Sequence, residues 1–253
     1  ELLDGDSAEL KQALGDLASY LPRRAVCGLT TKGYNRFFMR VLQVVMDSSE
    51  APHLAMRDVL MSATAPSEVW PDDASFHYQW CKRPVYKELR PAKTCGILRA
   101  LEYAARGTLQ GSNHVPVQSD LSVEHVLPQS WDRVPEYGFA DMTEDERQAR
   151  SQLLHGFGNL TLLTQPLNSS VSNGPFADAY DSDGALTPGK RSRLGQSALL
   201  MNTYFQQTSL GSWSEVAIAK RAEALSKAAM LVWARPASSP TAPKDVSSAL
   251  SGN

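Results

Sequence analysis

Cysteine is rare in this sequence, with three in 253 residues. Cys27, Cys81 and Cys95 are an odd number at spacings that match no CxxC metal site, which points to buried thiols in a reducing cytoplasm. Excess charge is also lacking: 25 Lys and Arg against 27 Asp and Glu leave a net charge of −2. Any affinity for nucleic acid must therefore come from local basic patches, because bulk charge does not supply it. No apolar run approaches the roughly 20 residues needed to span a bilayer, so no membrane segment is expected. The opening ELLDGDSAELKQ lacks the basic start and apolar stretch of a signal peptide, and a beginning at Glu1 suggests a piece of a longer protein. Histidine numbers only five, so each position is worth asking about.

What is present is enough apolar residue for a core, 42% of the chain, and a helical texture in the first half. Leu10, Leu14 and Leu17 make a stripe that Pro22 should end. Tyr34 to Met46 is dense enough in apolar residues to be largely buried. Arg23, Arg24, Lys32, Arg36 and Arg40 follow one another without an acidic partner and read as a basic surface. Thr94 to Arg106 offers Ile97, Leu98, Leu101 and Tyr103 to a core. A loop boundary is expected at Gly107 to Ser119, rich in Gly, Ser and Asn.

Beyond it the pattern changes. Leu121 and Val123 alternate as in a strand, and NLTLLT, Asn159 to Thr164, is a second β-favouring run. Thr143 and Glu146 have the spacing of a capping box before an intervening helix that Gly156 should end. Pro166 can open a short helix to Val171. Gly189 to Gln206 and Trp213 to Trp233 read as final helices. The second has Ser212 and Glu215 at capping-box spacing and Ile218, Ala222, Leu225, Ala229 and Trp233 on one face. The tail from Arg235 is of low complexity and expected to be disordered.

Within LSVEHVLPQ, Glu124 and His125 would point to opposite faces of a strand unless the strand ends there, which Pro128 makes plausible. A carboxylate beside an imidazole offers an oxygen ligand for a divalent cation and a base that titrates near neutral pH. That pair suits phosphodiester hydrolysis, where water must lose a proton and a charged phosphorus needs a cation. Asn159, Asn168 and Asn173 follow at regular intervals, although asparagine is also common in turns and caps. The remaining histidines carry less. His155 closes a helix, where the dipole favours an imidazolium; His114 lies in the loop before the first strand; His53 and His77 have no partner in sequence. Trp213 and Trp233 read as core. Asp178, Asp181 and Asp183 lack the later glycine and glutamate of a calcium loop.

EHVLPQ, GNLTLLTQPLNSSVSNGPF and the closing helix together resemble the C-terminal nuclease domain of the GmrSD-type restriction enzymes, a branch of the HNH, or ββα-metal, nucleases. SYLPRRAVCGLTTKGYNRFF is similar to the helical segment that, in this family, follows an N-terminal nucleotide-dependent sensor domain. The resemblance implies a mainly α fold with a small β component. A helical region, 1–110, would precede an HNH-type nuclease domain, 111–234, whose ββα core is embedded in helices. A disordered tail, 235–253, would follow. It also implies a cytoplasmic, metal-dependent DNA endonuclease or nickase of restriction or phage defence. His125 would be the general base. Glu124 and Asn168 would hold one Mg²⁺ or Mn²⁺, and Asn159 would close the ββ loop and orient the histidine ring. Asn173, Lys190, Arg191 and Arg193 would contact DNA. Glu124 stands where the superfamily usually has aspartate, and Asn168 where a final histidine is common, which makes a weak site that phosphate and water complete. The alternative is a DNA-binding or regulatory module that keeps the shape with little catalysis.

Overall fold

In the computed structural model, which describes residues 8–107, 120–171 and 173–236 and only the backbone at 169 and 170, helices dominate. Two small two-stranded sheets supply the β component, so the expected mainly α fold class holds. Residues 108–119, with His114 and most of the expected boundary loop, lie outside the described residues, as do 1–7 and 237–253 of the tail. Among the described residues, no helix is long and apolar enough to cross a membrane. The chain divides into two units, residues 8–79 with 233–236, and residues 80–232.

The first unit holds α1 (Ala8–Val26), α2 (Tyr34–Asp47), α3 (Pro52–Ser62) and the start of α4 (Asp73–Lys82). Tyr20, Phe37, Leu60 and Trp70 form its core. Pro22 does not stop α1, which continues to Val26. The two residues after it explain why this last turn is held. Arg23 donates to the carbonyls of Trp233 at 2.6 Å and Pro71 at 3.1 Å. Arg24 donates to Tyr34 Oη at 2.7 Å and to the carbonyls of Val69 at 2.6 Å and Ser67 at 2.9 Å. Irregular backbone needs donors, and a guanidinium carries five. Both arginines are therefore fully buried, and the basic surface shrinks to Lys32, Arg36 and Arg40. The expectation for α2 is corrected too. Only Phe37 and Val41 are buried, while Met39, Leu42, Val44 and Met46 are exposed, because α2 packs chiefly on α3 and a helix apolar all round then turns half its apolar residues outward.

The second unit continues with α5 (Val85–Glu88), α6 (Pro91–Gly107), β1 (Leu121–His125), α7 (Glu144–Leu154), β2 (Leu160–Thr164) and α8 (Gln165–Val171). After these come β3 (Ala179–Tyr180), β4 (Leu186–Thr187), α9 (Lys190–Gly195) and α10 (Glu215–Val232). The capping box at α7 forms as the spacing requires, Thr143 and Glu146 each bonding the other's backbone. At α10 the cap is Ser214 rather than Ser212, its Oγ accepting from Ala217 N–H at 3.4 Å. The single helix expected from Gly189 to Gln206 is broken, α9 ending at Gly195 and a 3₁₀ helix running from Leu200 to Gln206. Glu102, buried on α6, accepts from the N–H groups of Leu200 at 2.9 Å and Met201 at 3.0 Å, and so caps a fresh start. Tyr103, its neighbour on α6, is exposed instead of buried.

β1 and β2 pair antiparallel, with Glu124 opposite Thr161 and His125 opposite Leu160. Behind them Phe157 stacks on Trp80 at 3.9 Å, and Trp213 packs with Phe176 and Phe205. α10 crosses the turn before β2 closely. Arg221 is buried and donates to the carbonyls of Gly158 at 3.0 Å and Leu160 at 2.7 Å. A β-carbon on Gly158 would meet Ile218 O at 2.3 Å and the Ala222 methyl at 2.9 Å. Neither neighbour can move without moving α10, so Gly158→Ala should cost about 1–3 kcal/mol or more. A denaturant midpoint equal to wild type would show that α10 leaves room for a methyl group at Gly158.

Candidate active site

The strand, long connection, strand and helix succession carries Glu124 and His125 on β1, Asn159 just before β2 and Asn168 on α8, all in the second unit. β1 extends through His125, so alternation puts the Glu124 and His125 side chains on opposite faces. Their partners differ accordingly. The Glu124 carboxylate accepts from the Lys190 ammonium at 2.7 Å, and the same ammonium donates to the His125 carbonyl at 2.8 Å. Lys190 is 1% exposed. Burial pulls its pKa down, and Glu124 pulls it partly back. An ammonium held this way does not reach out to a DNA backbone, so the surface grip expected of Lys190 is replaced by a tie between α9 and the end of β1.

The His125 ring sits under Tyr86 of α5 and beside His155, the residue that caps α7. Its Nε2 lies 3.2 Å from His155 Nδ1, and the Tyr86 ring meets it edge-on with centroids 4.5 Å apart. Burial, then His155 and Lys190, push the His125 pKa down to about 3, so the ring is neutral at physiological pH. His155 is also buried and its pKa also lowered, by burial and then by Lys87. The imidazolium expected from the helix dipole is thus corrected: desolvation outweighs a dipole worth at most about 2 kcal/mol.

Asn159 is fully buried just before β2, and its side-chain hydrogen bonds go to groups other than the His125 ring. Its Oδ1 accepts from Leu127 N–H at 2.7 Å and from the Trp213 indole at 2.8 Å. Its Nδ2 donates to the carbonyls of Leu127 at 3.0 Å and Leu154 at 2.9 Å. All four bonds go to the frame. One amide fastens the chain just past His125 to the chain just before His155.

Asn168, on α8, donates from Nδ2 to Ser122 Oγ at 3.1 Å. Ser122 lies two residues from Glu124, on the same face of β1. Arg191 donates to the Gln207 carbonyl at 2.9 Å and Arg193 to the Pro188 carbonyl at 3.1 Å, both half-buried, and Asn173 is exposed. A groove of about 490 Å³ lies among α5, α6 and β1, lined by Tyr86, Arg99 of α6 and Ser122 among others.

Residues 70–228 match the family model described as GmrSD restriction endonucleases, C-terminal domain, a span of more than half the chain. The chain belongs to this family. Neither curated proteins nor solved structures give a match. A GmrSD C-terminal domain is a nuclease domain of the restriction-endonuclease type, and its substrate class is DNA.

Two groups in this GmrSD domain escaped the sequence reading, His155 and Tyr86. The turn before GNL gives His155 only a helix end to explain it, and nothing in the spacing announces that the turn folds back onto β1. The second role of Lys190, bonding the His125 carbonyl, was equally invisible. As a cation site the donor set is sparse. Among the described residues, no three His, Cys, Asp or Glu converge. What remains on one face is the Glu124 carboxylate and the Asn168 amide oxygen, both hard oxygen donors that suit Mg²⁺ or Mn²⁺ and leave most positions to water and phosphate.

Proposed function

We propose that this GmrSD C-terminal domain is an HNH-type, metal-dependent endonuclease or nickase, working in restriction or phage defence, that hydrolyses phosphodiester bonds at the end of β1. The observation that carries the reading is a buried, neutral His125 one residue from a carboxylate, on a two-stranded hairpin whose following helix brings Asn168 to the carboxylate's side. His125 accepts a proton from water, the water oxygen attacks phosphorus, and the 3′ oxygen leaves in line with it. The products carry 5′-phosphate and 3′-hydroxyl ends. Glu124 and Asn168 would hold one Mg²⁺ or Mn²⁺, which would offset charge on the phosphate and the leaving oxygen. Lys190 fixes the strand end, its ammonium bonding both the Glu124 carboxylate and the His125 carbonyl. Asn159 positions His125 through the backbone at Leu127.

Burial of His125 means that engaging DNA must bring water and ring together, by displacing the half-buried Tyr86 ring that lies edge-on to it. The groove beside β1 supports an approach from that side, because it touches both Tyr86 and the Ser122 hydroxyl bonded to Asn168. Arg191, Arg193 and Asn173 then take phosphates, an interaction that weakens with salt.

The test is nicking of supercoiled plasmid while Mg²⁺ or Mn²⁺ is titrated. Wild type should nick in proportion to bound metal. Glu124→Gln keeps an acceptor for Lys190 but loses the charge, and should raise the metal concentration at half-maximal rate by about 10-fold or more. An unchanged metal curve would remove Glu124 from the site.

A further inference from the structure

Two neutral imidazoles in contact share a single hydrogen between the facing nitrogens. With His125 Nε2 and His155 Nδ1 3.2 Å apart, either ring can be the donor, and the two choices differ chemically. If His155 donates, the hydrogen left to His125 sits on Nδ1 and the ring has no lone pair to offer water. If His125 donates from Nε2, its Nδ1 is bare and basic.

We infer that His155 is a positioning residue for His125: its Nδ1 accepts from His125 Nε2–H, locking the ring in the one tautomer that leaves Nδ1 free to take a proton from water. This rests on the nuclease reading above for its consequence in catalysis, though the lock itself stands on geometry. The rings are nearly perpendicular, at 86° with centroids 5.2 Å apart, so they do not stack, and their polar contact is the Nε2–Nδ1 pair. Both side chains are buried, at 4% and 6% exposure, which leaves each facing nitrogen no water to choose instead.

The backbone at His155 is held by two bonds from other parts of the chain. Tyr86 N–H donates to the His155 carbonyl at 3.0 Å. The Asn159 amide donates to Leu154 O at 2.9 Å. The same amide clasps Leu127, two residues beyond His125, at both N–H and C=O. The buried asparagine therefore sets the spacing of the two imidazoles, and an ordinary helix cap would need none of this.

The experiment compares wild type with His155→Asn and His155→Phe. The asparagine amide oxygen reaches nearly the place of Nδ1 and keeps an acceptor; phenylalanine keeps the bulk and removes it. Long-range proton–nitrogen NMR of histidine-labelled protein reads the tautomer, the His125 signals being assigned by their loss in His125→Ala. Expected is a single Nε2–H tautomer in wild type and His155→Asn, and a mixed population in His155→Phe. Plasmid nicking should fall about 10- to 100-fold in His155→Phe with DNA affinity unchanged, and recover most of the loss in His155→Asn.

Circular dichroism establishes that each variant folds, and His155→Asn carries the test if His155→Phe does not. In that case a mixed tautomer or a crippled rate in folded His155→Asn contradicts the lock. An unaltered tautomer in folded His155→Phe overturns the inference outright. If wild type nicks no faster than His125→Ala, the nuclease reading falls, while the tautomer comparison still decides whether His155 holds the ring.

Discussion

His125→Ala should lower the rate of plasmid nicking by about 10²- to 10⁴-fold, the usual contribution of a positioned general base. The expectation follows from the ring's surroundings. His125 is neutral at physiological pH because burial and two neighbours oppose its protonation, so every molecule is ready to accept a proton. A base whose pKa is this low takes that proton only weakly, and the cost falls if a DNA phosphate beside it favours the imidazolium. The loss should therefore appear in single-turnover rate rather than in DNA affinity, which Arg191 and Arg193 are proposed to supply. A variant that binds and cuts like wild type would move the chemistry elsewhere on the domain.

The largest effect on stability is expected at Asn159. Asn159→Ala leaves Leu127 N–H and the Trp213 indole N–H, both bonded to Oδ1 in wild type, with no partner in a buried setting. Each such orphan costs about 1–3 kcal/mol, and the freed carbonyls of Leu127 and Leu154 add to it. A loss on the order of 3–5 kcal/mol is a large part of the stability of a domain this size. Asn159→Asp is no rescue. It keeps the acceptor but turns a carboxylate oxygen toward the carbonyls of Leu127 and Leu154, which in wild type accept from the amide. Both variants should melt roughly 10 °C or more below wild type. A shift within about 1 kcal/mol for either would show that the clasp contributes little.

What could be read from the sequence was what short-range chemistry determines. The capping box at Thr143, the Pro166 entry to α8, and the apolar face of α10 at Ile218, Ala222, Leu225 and Ala229 depend on residues a few positions apart, and the fold carries all of them. The hairpin was legible because Leu121 and Val123 alternate and NLTLLT is β-favouring. Apart from the α10 cap, which moved two residues to Ser214, the misses that bear on the site and the first core needed partners distant in sequence. Arg23 and Arg24 looked like surface because the carbonyls that bury them belong to residues some 45 positions on. Lys190 looked like a DNA contact because Glu124 lies 66 residues back. His155 looked like a helix cap because its meeting with His125 depends on how the connection between β1 and β2 returns. Pairs at that separation leave no periodicity, and composition favours the ordinary reading of each member.

The central claim, that the end of β1 is a metal-dependent phosphodiester-hydrolysing site, is tested most directly by the chemistry of the nick itself. Supercoiled plasmid is incubated with the purified protein in EDTA, then with excess Mg²⁺ or Mn²⁺, and the nicked product is offered to DNA ligase. The expected result is no nicking in EDTA, nicking restored by the metal, and resealing by ligase, which requires a 5′-phosphate beside a 3′-hydroxyl. Nicking that proceeds equally in EDTA, or plasmid left intact in both conditions, would contradict it.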